Sequence, residues 1–186
     1  FPDTYTVYAG GDDLLLIGPW RQTIDLARDL NEQFRRYTGD NPNITLSAGI
    51  ALMRDNHPLN RSALEAEARL EKAKDEGRDR VCLLGEEPIQ WQALPDNLAA
   101  AETLNGWLRD KLVSTALVYR LLYFQEQKNL AEGNNPEGKM DLRAANWRAR
   151  WGYSLARNVR EKSDKQIPAA LKQEITELCN RLLGLD

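Results

Sequence analysis

The sequence predicts an α+β domain followed by an all-α helical bundle. Hydrophobic runs in the first half come in the order hairpin, helix, strand, helix, strand, the pattern of a sheet with helices packed on it. Past residue 95 the apolar spacing is helical throughout. The charge changes sign at the same place: residues 1–96 carry 11 Lys/Arg against 17 Asp/Glu, residues 97–186 carry 14 against 11. The two domains are read as 1–95 and 96–186. They meet in Glu86 to Pro95, where Pro88 and Pro95 flank Ile89-Gln90-Trp91-Gln92-Ala93-Leu94.

The hairpin is the run Tyr8-Ala9-Gly10-Gly11-Asp12-Asp13, with Thr4 to Tyr8 strand-like before it and Leu14 to Ile17 apolar after it. Two glycines supply the positive φ of a tight turn and leave no side chain above it, so a phosphate can come close to the backbone. After Gly18-Pro19-Trp20, helical spacing of Ile24, Leu26, Ala27, Leu30, Phe34 and Tyr37 predicts a helix over Thr23 to Tyr37. Ile44 to Met53 reads as a buried strand, with Gly49 where something approaches the backbone. A second helix is expected from about Ser62 to Glu76, closed by Gly77, and Val81-Cys82-Leu83-Leu84 is a short strand.

The second half predicts one long helix from about Asn97 to Lys128, N-capped by Asn97 or Asp96. A Gly/Asn/Pro-rich loop, Glu132 to Gly138, ends it. Two more helices follow, near Asp141 to Lys162 and Pro168 to Leu183. At 100° per residue, Arg143, Asn146, Arg150, Tyr153, Arg157 and Arg160 fall on one stripe of the middle helix, opposite Trp147, Trp151, Leu155 and Val159. Trp147 and Trp151 read as core. The four guanidiniums either meet the phosphates of a nucleic-acid backbone, which Arg binds in bidentate fashion, or form a solvated face paired with acids such as Glu174 and Glu177.

Asp12 and Asp13 have two readings on the residues alone. They are hard oxygen donors suited to Mg²⁺ or Mn²⁺ held jointly with a nucleoside triphosphate, or ordinary solvated turn acids. Lys74 and Arg78, one turn apart at a helix end, either hold phosphate oxygens or simply complement the helix dipole.

Three motifs in order resemble the palm of nucleotide cyclases and GGDEF-type diguanylate cyclases: Tyr8 to Asp13, then Ile44-Thr45-Leu46-Ser47-Ala48-Gly49-Ile50-Ala51, then Leu70-Glu71-Lys72-Ala73-Lys74-Asp75-Glu76-Gly77-Arg78-Asp79-Arg80-Val81. The Asp-Asp ending and the Gly18-Pro19-Trp20 continuation depart from the GGDEF pattern. They are similar instead to the second palm of the large, polymerase-like subunit of type III-A CRISPR effector complexes, which makes cyclic oligoadenylate from ATP. The similarity covers roughly residues 4 to 90. More weakly, Asn146-Trp147 and Tyr153-Ser154-Leu155-Ala156-Arg157-Asn158 resemble that subunit's helical C-terminal domain.

The resemblance implies a partial ferredoxin-like cyclase/polymerase palm acting as a nucleotidyltransferase. Asp12 and Asp13 would be the catalytic and metal-holding carboxylates. Gly10, Gly11, Ser47, Lys74 and Arg78 would contact ATP, and Arg143, Arg150, Arg157 and Arg160 would contact RNA. A further metal-binding aspartate would come from a strand preceding the hairpin, so the chain is expected to be the C-terminal part of a longer subunit. Implied partners are the rest of that subunit, other subunits of the complex including the small helical one, guide RNA and target RNA. His57 is the sole histidine, so no nuclease-like HD pair is present in these residues.

No apolar run approaches the roughly 20 residues that span a bilayer, and no signal-peptide pattern opens the sequence. Cys82 and Cys179 sit in apolar segments without metal-ligand spacing and read as buried thiols of a reducing, cytoplasmic compartment. Three functions stay open on sequence: a nucleotidyltransferase palm, a silent RNA-binding module of the same complex, and a diguanylate-cyclase-like enzyme. The missing Glu and the helical tail argue against the third.

Overall fold

The computed structural model describes residues 1–83, 87–134 and 138–185, and it falls into two compact units, Phe1–Leu98 and Ala99–Asp186. Three parts of the sequence expectation lie outside the described residues: Leu84 as a strand end, Glu86 in the boundary segment, and residues 135–137 of the loop.

The first unit is the α+β part. Strands β1 (Tyr5–Gly10) and β2 (Asp13–Ile17) form the antiparallel hairpin, with a register shift between Thr6 and Tyr8. Helix α1 (Trp20–Tyr37) follows. Then β3 (Ala48–Ile50), α2 (Leu59–Asp75) and β4 (Arg80–Leu83) make a β-α-β crossover, β3 and β4 pairing in parallel. A two-residue strand, β5 (Ile89–Gln90), adds antiparallel to β4.

Both helices start earlier than predicted, directly behind Pro19 and Pro58. A helix entry has no intrahelical partner for its first N–H groups, so a proline costs nothing there. Thr23 and Ser62, predicted as first residues, lie one turn inside. Each donates its hydroxyl back to the proline carbonyl, at 3.1 and 3.2 Å.

The predicted strand Ile44 to Met53 is corrected to Ala48–Ile50. A ladder extends only as far as its partner, and β4 is four residues long; Ile44 and Leu52 are left exposed. Ile24, Ile50, Val81, Trp91 and Leu94 pack as this unit's core. Trp91 and Leu94, placed by composition in the boundary segment, are therefore core residues.

The second unit is helical: most of α3 (Leu94–Arg109), then α4 (Thr115–Glu132), α5 (Trp147–Leu155) and α6 (Ala169–Leu182). The single helix predicted over Asn97 to Lys128 is two. Lys111 turns left-handed at φ 58, the Leu112 N–H reaches back to the Trp107 carbonyl at 2.9 Å, and Ser114 is extended ahead of α4. The break lets Val113 enter the core. Asp96 and Asn97 lie inside the first turns of α3, not at its cap.

The helix predicted over Asp141 to Lys162 is shorter too. A 3-10 turn at Leu142–Ala144 precedes α5, and a π turn at Ala156–Arg160 follows it, with Glu161 N–H bonded to the Ala156 carbonyl.

Trp147, Trp151, Leu155 and Val159 are buried, as read from the sequence, against Leu117, Leu121, Phe124, Ile175 and Cys179. Trp151 meets Phe124 edge-to-face at 5.5 Å and donates its indole N–H to Asn180 at 3.0 Å. Both thiols are buried, and burial pushes that of Cys179 up to about 12.

Lys111 gives a local test. A left-handed side chain costs about 1–2 kcal/mol, and glycine's extra freedom when unfolded costs about 1 in return. Lys111→Gly is therefore expected to be neutral to about 1 kcal/mol stabilising, and Lys111→Val, β-branched, to destabilise by about 1 kcal/mol or more. Urea midpoints of the three proteins check the order.

Candidate functional site

The hairpin turn is two residues long, because Gly10 pairs with Asp13. Gly11 has φ 62, and Asp12 is not among the residues of positive φ. A left-handed first central residue alone is the requirement of a type II′ turn, whose twist matches that of the strands. Asp12 and Asp13 are both exposed there.

Directly opposed residues of a hairpin share a face, so Tyr8, Gly10 and Asp13 lie on one side of it. The two glycines then part company. A Cβ on Gly10 would sit 2.7 Å from the Tyr8 hydroxyl, whereas one on Gly11 would meet nothing within 4 Å. The backbone is open at Gly11, and the Tyr8 ring covers Gly10. Sequence reasoning missed Tyr8; two-residue spacing from Gly10 was the available signal.

The C-terminal end of α2 supplies the cations. Lys74 donates to Glu71 at 2.7 Å. Its pKa is raised, first by that hydrogen bond, against a lowering from desolvation, then by the charges of Glu71 and Asp13, while Arg78 acts in the opposite sense. Asp13, Lys74 and Arg78 thus share one electrostatic neighbourhood, although they come from motifs some sixty residues apart.

Past the helix, Gly77 has φ 120, and Arg78 and Asp79 follow at φ 56 and 52. The Arg78 N–H returns to the Ala73 carbonyl at 3.1 Å, satisfying a helix-end acceptor. Two successive left-handed non-glycine residues cost of order 1–3 kcal/mol each, a strain that functional sites often hold. It carries the exposed Arg78 beyond the helix end.

Ser47 is half-buried one residue before β3. The segment is pinned by the Trp91 indole N–H, which donates to the Leu46 carbonyl at 2.8 Å. Among the described residues no hydrogen bond joins Ser47 to Asp13, Lys74 or Arg78. Gly49, expected where something approaches the backbone, is approached by α2: a Cβ there would collide with the Ala66 carbonyl oxygen and the Leu70 nitrogen.

Among the described residues no group of three metal-ligating side chains forms. Asp12 and Asp13 are instead an adjacent pair of exposed carboxylates. That donor set suits a Mg²⁺-type ion, which is commonly held by one or two carboxylates together with substrate phosphates.

In the second unit Arg143, Arg150, Arg157 and Arg160 are all exposed, and none forms an ion pair with a described residue. The π turn shifts Arg157 and Arg160 from the places a uniform 100° step assigns them. Glu177 accepts from Gln173 at 2.8 Å, and Glu174 and Glu177 line a shallow groove with Thr103, Trp107 and Arg181. Arg150 donates to the Tyr123 hydroxyl at 3.0 Å and stands over that ring at 5.6 Å; Arg157 donates to Tyr153 at 3.1 Å.

Comparison with known proteins agrees with the three motifs. Residues 1–82 match the family model of the Cas10/Cmr2 second palm domain. The chain is 34% identical over 142 residues to the CRISPR system single-strand-specific deoxyribonuclease Cas10/Csm1 (subtype III-A) of Thermococcus onnurineus, covering 67% of this chain and 18% of that protein. With its counterpart from Methanocaldococcus jannaschii it shares 39% identity over 71 residues, covering 38% and 9%. The chain thus spans under a fifth of these relatives' length.

Among solved structures, the Csm1-Csm4 cassette in complex with cA4 superposes with a TM-score of 0.65 at 24% identity, over 98% of this chain and 26% of that one. The cassette in complex with one ATP gives 0.62 at 24% identity, over 97% and 26%. These likenesses establish the fold, an α+β palm followed by a helical domain. No helix of the described residues is long and apolar enough to cross a membrane.

Proposed function

We propose, with kinship to the Cas10/Cmr2 second palm as the premise, that this chain supplies the GGDD half of an ATP-consuming cyclic oligoadenylate synthase in a type III CRISPR surveillance complex of the cytoplasm. The observation that carries the reading is an open glycine turn bearing two exposed carboxylates, with the charge of Asp13 within electrostatic reach of Lys74 at the end of α2. A metal-bound triphosphate needs negative charge for the ion and positive charge for the phosphate oxygens.

Asp12 and Asp13 would hold the divalent cation, Mg²⁺ or Mn²⁺, which when bound neutralises phosphate charge and polarises the reacting phosphoryl group. The open backbone at Gly11 would admit the triphosphate. Lys74 and Arg78 would hold its oxygens as a ribose 3′-hydroxyl of a second ATP attacks the α-phosphorus. A 3′–5′ phosphodiester bond forms, the α–β anhydride bond breaks, pyrophosphate leaves, and the hydroxyl proton passes to solvent. Ser47, one residue before β3, would contact a base or ribose. The relatives' greater length fits a remaining set of groups supplied by other parts of the subunit.

The helical unit, whose Arg143, Arg150, Arg157 and Arg160 form no ion pair with a described residue, would lie against guide-target RNA beside the other subunits of the complex. The reading is tested on the assembled complex. With ATP and Mg²⁺ or Mn²⁺, target RNA should switch on release of pyrophosphate and of cyclic products resolved by chromatography. Pyrophosphate without cyclic product, or no ATP consumption, would overturn it. Lys74→Ala should lower kcat/KM for ATP by about tenfold to a hundredfold, the worth of one charged hydrogen bond. Target binding should not change.

A further inference from the structure

Tyr8 pairs with Leu15 and Gly10 with Asp13, so Tyr8 and Asp13 are diagonal neighbours on one face of the hairpin. Such neighbours lie about 7–8 Å apart, within reach of an aromatic side chain. The Tyr8 ring leans toward the turn. Its hydroxyl stands 2.7 Å, and the ring carbon bearing it 3.0 Å, from the place a Cβ on Gly10 would take. The phenol therefore lies over the backbone directly before the turn, one residue from the open Gly11.

Among the described residues nothing holds this hydroxyl. Tyr8 is 55% exposed, and its O–H has no hydrogen-bond partner there. A phenol is a neutral donor on a ring with two rotatable bonds, so it costs little to order and does not compete with Asp12 and Asp13 for a cation. Those carboxylates repel the oxygens of a triphosphate unless positive charge or hydrogen-bond donors offset them. The cations Lys74 and Arg78 come from the end of α2 and the turn behind it. Of the two pairs nearest the turn on the Asp13 face, Gly10–Asp13 and Tyr8–Leu15, only Tyr8 brings a side-chain donor.

We propose that Tyr8 is a substrate-binding residue, its O–H donating to a non-bridging oxygen of the triphosphate that approaches Gly11. This rests on the nucleotidyltransferase reading of the hairpin and deepens it: the phosphates are held from the hairpin by a neutral donor as well as from α2 by cations. Glycine at position 10 follows, since a larger residue would push the phenol aside.

The test uses the assembled complex with Mg²⁺ and an ATP analogue whose α–β bridge cannot be cleaved, so that calorimetry reads binding without turnover, beside kcat and KM for ATP. Tyr8→Phe should weaken the analogue at least about tenfold, the worth of one hydrogen bond to a charged group, and raise KM with kcat little changed. The loss should be equal for the 2′-deoxy analogue. Tyr8→Ala should bind within about twofold of Tyr8→Phe, because the hydroxyl is what both lack. Gly10 is not left-handed, so alanine fits its backbone. Gly10→Ala should repeat the loss by displacing the phenol, and cost nothing more in the Tyr8→Ala background.

If Tyr8→Phe binds like wild type while Tyr8→Ala does not, the ring and not the hydroxyl meets the nucleotide, and the contact is wrong. A loss that vanishes with the 2′-deoxy analogue would put the hydroxyl on the ribose and overturn the phosphate contact. Additive losses from Gly10→Ala and Tyr8→Ala would place the phenol elsewhere and overturn it too. Wild-type binding by every variant would remove Tyr8 from the site and leave the proposed function standing. A wild-type complex that binds the analogue but makes no cyclic product would instead sink that function, with the Tyr8 contact still decided by the analogue. Tyr8 is exposed, so its variants should assemble and melt with the wild type.

Discussion

Replacing Asp12 and Asp13 together by alanine should abolish cyclic oligoadenylate synthesis in the assembled complex, to below about one thousandth of the wild-type rate. The magnitude follows from charge. A metal ion contributes several kcal/mol of transition-state stabilisation, and each 1.36 kcal/mol is about tenfold in rate. Both carboxylates are exposed in a two-residue turn and fill no part of the core, so the fold should hardly notice. Gly11 keeps the turn, because its φ of 62 is what the geometry requires.

The single variants separate the two roles. Asp13→Asn should also lower the pKa of Lys74, since the Asp13 charge helps raise it. Asp12→Asn should leave Lys74 alone. Complex assembly and target RNA binding serve as the controls. A double mutant that makes product at the wild-type rate, in a complex that still assembles, would remove both residues from the catalytic machinery.

What was legible in the sequence depended on how far apart the interacting residues are. The hairpin was readable because its turn, register and glycines all lie between Tyr5 and Ile17. Trp147, Trp151, Leu155 and Val159 were readable as core because they repeat along one helix. The break between α3 and α4 was not, since Leu104, Leu108 and Leu112 keep helical spacing right through it. The stop is made by Lys111 turning left-handed so that Val113 can be buried.

The strand around Gly49 was overextended because apolar content does not say where a ladder partner ends. The candidate site is the instructive case. Asp13 and Lys74 are linked through the tertiary fold, so periodicity alone left each as an ordinary surface residue, and only the ordered motifs joined them. Tyr123 under Arg150, across 27 residues, had no sequence signal strong enough to be read.

Gly49→Ala is expected to be the most damaging small substitution in the first unit. The added methyl would strike backbone atoms of α2: the Ala66 carbonyl oxygen, the Leu70 nitrogen and, at 2.9 Å, the Arg69 carbonyl carbon. None of these is the end of a flexible side chain, so α2 must move as a body or β3 must leave its ladder with β4. Overpacking of this kind typically costs about 1–3 kcal/mol, and here no rotamer change relieves it.

The same helix carries Lys74 and places Arg78. On the proposed function, its displacement should therefore reduce ATP turnover even in molecules that stay folded. Gly152→Ala in α5 is the control. A Cβ there meets nothing within 4 Å, so loss of a helical glycine should stabilise by about 0.5–1 kcal/mol. Hydrogen exchange at Ala48–Ile50 and Arg80–Leu83 reads the effect locally: faster in Gly49→Ala, unchanged in Gly152→Ala. Wild-type protection of both strands in Gly49→Ala would mean that α2 does not press on β3 as described.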